Sequence, residues 1–194
     1  TSAEGFWVGK SSTGFDVNLA VLENGDTWGV YARSGVLYGA LRGTTTSANG
    51  TLSGTGAEVD LSTGAIGTGA YTGTYAPKSS LQVRLASNTT FIGNYASVYD
   101  QPASLSAVAG TYTGSGVATG APVQSAVLNV SASGVVSSPP SLDCSAAGTV
   151  KPRASGKNIF DLQITFNGTN CALGNGASVS GVVYYENGAL IAMG

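Results

Sequence analysis

Histidine is absent from this 194-residue chain, and charge is scarce, with eight Lys and Arg against ten Asp and Glu. Without an imidazole, a Ser-His-Asp or Cys-His nucleophile system cannot be assembled in its usual form. Two Cys and no His fall short of the roughly four N/S ligands of an ordinary zinc site, and the two are not a CxxC redox pair. The low charge excludes a coiled coil, which is rich in Ala, Glu, Lys and Leu. Net charge of −2 leaves no electrostatic footprint for nucleic acid. No run of about 18 apolar residues exists, so no helix of this sequence spans a bilayer. There is no Walker loop and no strand–GxGxxG–helix unit; Gly64–Gly73 reads as turn and strand with no helix after it. No cofactor and no metal site is implied.

What the chain has in quantity is Ser and Thr, 44 together, and 29 Gly. Between them run short apolar segments of period two. Phe15, Val17, Leu19 and Val21 alternate with polar or small residues, as do Leu81, Val83 and Leu85, and Phe160, Leu162, Ile164 and Phe166. Such alternation buries one face of a strand. Five Asn-Gly pairs mark corners, because type I′ turns require φ > 0 at both central residues. Asn24-Gly25 and Asn187-Gly188 lie between clear strands and are expected to be tight hairpins. About eight strands are expected in residues 5–98 and seven or eight in 110–193. Short connections make neighbours antiparallel.

Eight short strands in about 95 residues leave two sheet edges, and closure into a barrel removes them. The expected fold is all-β: two tandem antiparallel meander barrels of about eight strands each, spanning 1–98 and 110–194. A single β-sandwich is the alternative. Residues 99–109 are expected to form a short helical joint, with Asp100 capping, Pro102 in the first turn and Gly110 at the C-terminal position. Gly5-Phe6-Trp7-Val8-Gly9 and Gly110-Thr111-Tyr112-Thr113-Gly114 suggest an internal repeat, each followed by an apolar strand and a tight turn, Asn24-Gly25 or Ser133-Gly134. Cys144 and Cys171 are expected to form a disulfide, which implies an oxidising compartment; two buried thiols are the alternative. The chain opens Thr-Ser-Ala-Glu and is read as a mature or trimmed sequence.

GFWVG, VLENGDTWGVY, the joint SVYDQPASLSAVAGTYTG and the paired Cys resemble secreted lipoproteins of Gram-negative bacteria, of Burkholderia- and Pseudomonas-type, whose function is unknown. That resemblance implies a precursor with a signal peptide ending in a lipidated Cys. It also implies a lipid-anchored outer-membrane location, facing the periplasm or the surface. It carries no catalytic residues. More distantly, the pattern is similar to avidin-like, lipocalin-like and transferrin-binding-protein-type barrels.

Among the candidate residues, Trp7, Trp28, Tyr31 and Tyr38, with Phe6 and Phe15, are expected to fill the first barrel. An aromatic platform for a sugar or apolar ligand is the sharper alternative. Tyr71, Tyr75, Tyr95 and Tyr99 suggest a second, interface band. Glu58 and Asp60 share a strand face and Glu23 and Asp26 flank a hairpin; all four are expected to be solvated. A calcium site through Asp16, Glu58 or Asp60 would need several more oxygen ligands. Lys151, Arg153 and Lys157 are expected at a hairpin tip, where contact with an anionic lipid or glycan is the functional alternative. The expected role is a non-enzymatic cell-envelope lipoprotein ectodomain that works by binding or by structural presence, as a surface antigen or adhesin with a host or envelope protein partner. The rival expectation is a lipocalin- or avidin-like carrier of a small apolar or sugar ligand.

Overall fold

A computed structural model of the protein describes residues 2–116, 124–139, 143–186 and 189–194. The chain divides into two units, Thr1–Tyr99 and Asp100–Gly194, and both are built on antiparallel strands.

The first unit is β1 (Gly5–Ser11), β2 (Asp16–Val21), β3 (Asp26–Arg33), β4 (Val36–Ala48), β5 (Thr51–Asp60), β6 (Ile66–Ala76), β7 (Ser80–Leu85) and β8 (Thr90–Tyr95). Each strand pairs with the next, and β1 pairs with both β2 and β8, so the barrel is closed. Closure removes the sandwich alternative for this unit. The period-two pattern selects the faces. Val17, Leu19 and Val21 turn inward on β2, and Leu81 and Val83 do so on β7. The wall is uneven in height: β4, β5 and β6 have 13, 10 and 11 residues, whereas β1, β2, β7 and β8 have six or seven.

Turn chemistry follows the sequence at some corners and departs from it at others. Asn49 and Gly50 both have positive φ, at 50° and 80°, as a type I′ corner requires. Ser34 and Gly35 do the same at 52° and 77°, although Ser gives a weak signal for that conformation. Asn24-Gly25 is not the expected two-residue turn. Gly25 alone is left-handed, at φ 87°, and closes a three-residue loop in which Gly25 N–H donates to Leu22 and Leu22 N–H to Asp26. Asn24 is occupied otherwise: its side-chain oxygen accepts from the Asp26 amide. Asn187-Gly188 lies outside the described residues.

The second unit is β9 (Gly110–Gly116), β10 (Gln124–Val130), β11 (Val135–Ser137), β12 (Ser145–Pro152), β13 (Phe160–Asn167), β14 (Ser178–Glu186) and β15 (Ala189–Met193). These form a seven-stranded sheet curled into a nearly closed barrel, within the seven or eight strands expected. Val130, Val136, Val150, Phe160 and Val183 fill its core. Cys144 and Cys171 are disulfide-bonded, with Cα atoms 4.8 Å apart, as expected. The bridge ties the start of β12 to the long β13–β14 loop. Asn167-Gly168 and Asn175-Gly176 lie in that loop rather than in tight hairpins, and Gly168 N–H donates to the Asn175 side chain.

The expected helical joint over 99–109 is reduced to a 3-10 turn, Ser97–Asp100, and a single α-helical turn, Leu105–Val108. Pro102 disfavours helical geometry at the residue before it. Asp100 does not cap: its carboxylate accepts from Lys157 at 2.8 Å, and the N-cap position falls to Ser104. Gly110 opens β9 instead of ending a helix.

The internal repeat is visible in the wiring. Gly134, at φ 81°, closes a loop with the same bonds as Gly25: Gly134 N–H to Ser131 and Ser131 N–H to Val135. The carbonyls of Gly25 and Gly134 accept from Thr45 and Val150, both at 2.7 Å. Trp7 Nε1 donates to the carbonyl four residues back, Ala3, and Tyr112 Oη donates to Val108, also four back; both bonds are 2.9 Å. The bonds within each loop and from each aromatic keep the same local spacing, while the stretches between them differ by four residues, as in a duplication that has since lost and gained loop residues.

Candidate functional site

The first barrel is not filled. Its lumen holds a cavity of about 550 Å³, lined by inward residues of all eight strands. Glycine explains the space. By register, Gly43 faces Gly56, Gly56 faces Gly69, and Gly54 faces Tyr71, all on the inner side of β4, β5 and β6. A Cβ at Gly39 would overlap the Tyr31 ring, and one at Gly54 would overlap the Tyr71 ring. At Gly69 the nearest atom to an added Cβ is 4.0 Å away, so that position faces open lumen. The volume is within the range of small-molecule pockets.

One end is closed. Trp7, fully buried, packs with Ala3, Tyr75, Leu52 and Leu81. Its indole N–H is held by the Ala3 carbonyl, and the Ala3 amide donates to Ser47 Oγ at 2.8 Å, so the segment before β1 is pinned across this end. Tyr95 meets Trp7 edge-on at 5.3 Å. Above this floor the wall is aliphatic, from Val17, Leu19, Val21, Leu52, Leu81 and Val83.

A chain of hydroxyls crosses the lower wall. Thr27 Oγ1 donates to the Gly25 carbonyl; Thr27 and Thr45 share a bond, and Thr45 and Tyr71 share one of 2.8 Å. A carbonyl can only accept, so the first proton is fixed and the rest follow: Thr45 donates to Thr27 and Tyr71 to Thr45. Tyr71 Oη therefore has its proton committed and presents lone pairs only.

The other end is the mouth. Phe15 meets Tyr31 and Tyr38 there, each with ring centroids 5.3 Å apart. The Arg33 guanidinium lies 4.2 Å above the Phe15 ring and donates to the Thr13 carbonyl. Glu58 stands opposite Leu41 and Gly67, and Asp60 opposite Gly39, so both carboxylates sit on the inner face as their two-residue spacing predicts. Both line the lumen at its open end, where Glu58 is exposed, so they are solvated as expected and also face the cavity. A Cβ on Gly67 would lie 3.4 Å from Glu58 Cγ; the missing side chain leaves room for this carboxylate. Among the described residues, Glu58 makes no hydrogen bond or ion pair. Asp60 accepts from the hydroxyl and amide of Ser62 and the amide of Thr63, which hold its carboxyl below the usual carboxylate range. Burial pushes the Tyr31 hydroxyl up to about 12, and the negative charges of Glu58 and Asp60 add to the shift. Gly67, Thr68, Gly69 and Ala70 are exposed in succession, so both faces of upper β6 reach solvent and the lumen is open beside them.

The expected aromatic filling is thus split. Tyr31 and Tyr38 stand at the mouth and Trp7 in the floor. Trp28 is on the outer side, opposite Ala20 and Arg42, with the Arg42 guanidinium 4.5 Å above its ring. Phe6 also turns outward, against Tyr99 at 4.7 Å. The expected tyrosine interface band does not form, since Tyr71, Tyr75 and Tyr95 pack inside the barrel and Tyr99 is buried against Phe6 and donates to Glu4. In the second unit Arg153 pairs with Asp161 and Lys157 with Asp100, so two of the three expected anion-contact residues are engaged by carboxylates; Lys151 is exposed. Glycine spacing was the missed signal for the cup: GxG repeats in β5 and β6 read as weak strand until register places them on one face.

Compared with known proteins, the chain matches no family model, no curated protein and no solved structure.

Proposed function

We propose that this protein is a non-enzymatic binding protein whose N-terminal barrel is a cup for one small, largely apolar ligand. A single observation carries this: a closed eight-stranded barrel with a plugged floor, an open mouth and an unfilled, mostly aliphatic lumen of about 550 Å³. Eight-stranded barrels either fill with side chains or hold one small ligand, and here glycines stand where side chains would fill the space. The absence of His from the sequence supports a role in binding rather than turnover. The disulfide supports an oxidising compartment, and the lipoprotein resemblance supports display from a lipid anchor at the outer membrane, facing the periplasm or the surface.

The test is titration with Nile red, a neutral apolar dye. Saturable binding of one dye per chain is expected. Gly69→Phe places a ring in open lumen and is expected to weaken binding at least about tenfold. Unsaturable or absent dye binding by the native chain would remove the carrier role.

A further inference from the structure

We propose that the cup selects a cationic amphiphile, an alkyl or aryl amine or quaternary ammonium. Its apolar body would lie against the aliphatic wall and its positive head against Phe15, Tyr31, Tyr38, Glu58 and Asp60. The proposal rests on the cup described above and names its ligand class.

The first argument is sign. Among the described residues, the charged side chains on the inner face are Glu58 and Asp60, both acidic. Arg42 also borders the cavity, but it lies between inward Leu41 and Gly43 and its guanidinium turns out over Trp28. Arg33 keeps its charge at the exposed rim, where it donates to Thr13 and lies over Phe15, so it stands outside the lumen. Below the rim, an anion would face these two carboxylates with no inward-facing basic side chain among the described residues to receive it. Clefts of one sign with low-dielectric walls concentrate the opposite charge.

The second argument is the aromatic group. Cations are attracted to ring faces within about 6 Å, and most strongly where water is partly excluded. Phe15 already carries a guanidinium on one face, which shows the geometry at work at this mouth. Tyr31 lies over Gly39, whose partner across the ladder is Asp60, so ring and carboxylate border the same space.

The third argument is the polarity of the hydrogen-bonding groups. Among the described residues Glu58 has no hydrogen-bond donor, and the Tyr71 hydroxyl, lower in the wall, has its proton committed to Thr45. At the mouth Glu58 thus offers lone pairs only, which a positive head complements with or without an N–H and an anionic head does not. Carboxylates at the mouth and aliphatics below also fix the orientation, with the head outward and the apolar end down.

Calorimetric titration of the full chain with octyltrimethylammonium, 1-octanol and octyl sulfate tests this, because the three share a tail and differ in head charge. The ammonium is expected to bind about tenfold more tightly than octanol at low salt, and the sulfate weakest. The preference should shrink as salt rises, because the mouth is open to screening. Glu58→Gln, which breaks no hydrogen bond or ion pair among the described residues, is expected to reduce the ammonium-to-octanol ratio about fivefold. Equal binding of octanol or octyl sulfate by the native chain would overturn the cation preference and leave the cup standing. No binding of any of the three would overturn both.

Discussion

Tyr31 concentrates the chemistry of the mouth in one hydroxyl. Burial and two nearby carboxylates raise its pKa to about 12. Burial also raises Tyr99, with Glu4 adding its charge and hydrogen bond, and Tyr112, with Tyr185 adding a smaller effect. A tyrosine in the unfolded chain loses its proton near pH 10. Between about pH 10 and 12 the unfolded state therefore holds fewer protons than the native state, and stability falls as pH rises. Below pH 10 these groups contribute fully. Denaturant midpoints measured at successive pH values are expected to be flat with respect to these tyrosines up to about 10 and to drop beyond it. Tyrosinate absorbance should show a late-titrating group whose midpoint moves down in Glu58→Gln, because a neutral amide no longer opposes the phenolate. An unmoved midpoint would mean that Glu58 does not face Tyr31. The shared face of Glu58 and Asp60 and the presence of Tyr31 and Tyr38 in one aromatic group were legible in the sequence. The outward turn of Trp28 was not, since alternation defines two faces without saying which is inside.

At the scale of elements, the strands follow the sequence closely because period-two burial and short loops leave few other arrangements. The alternating runs Phe15–Val21, Leu81–Leu85 and Phe160–Phe166 coincide with β2, β7 and β13 to within a residue at each end. Corners were less legible. Asn-Gly predicts positive φ, but Asn24 bonds Asp26 instead and leaves Gly25 alone in the left-handed region. There an added Cβ would lie 2.5 Å from the Thr45 carbonyl oxygen. Gly25→Ala is expected to cost about 1–2 kcal/mol, read as a fall of several degrees in the melting temperature. Gly134→Ala should behave alike in the second unit, since it closes the same loop. The Cys144–Cys171 bridge spans 27 positions and constrains the unfolded chain by roughly 3–4 kcal/mol in the chain-entropy account. Reduction should lower the melting temperature of that unit by about 10 °C or more.

Across the whole molecule, both Trp residues belong to the first unit and the disulfide belongs to the second. Tryptophan emission should therefore report one unit alone, while calorimetry reports both. On adding reductant, one calorimetric transition is expected to move down while the emission transition stays in place; a joint shift would mean the two unfold as one. Two all-β units were legible from spacing, as was their repetition. The open lumen was not. Its volume depends on glycines from three strands coming into register, and register is a relation between strands that no single segment displays.

The unequal strands give the cup a front and a back. At the mouth, residues 66–70 of β6 pair with β5 but run past the end of β7 at Leu85, so the rim is cut on a slant, and Glu58 and Asp60 ride on the tall side like a hood. Guests would arrive over the low lip formed by β7, β8 and β1 and lean on the backrest opposite. Bulk on the part of a guest that stays outside should then be tolerated toward the lip and penalised toward the hood.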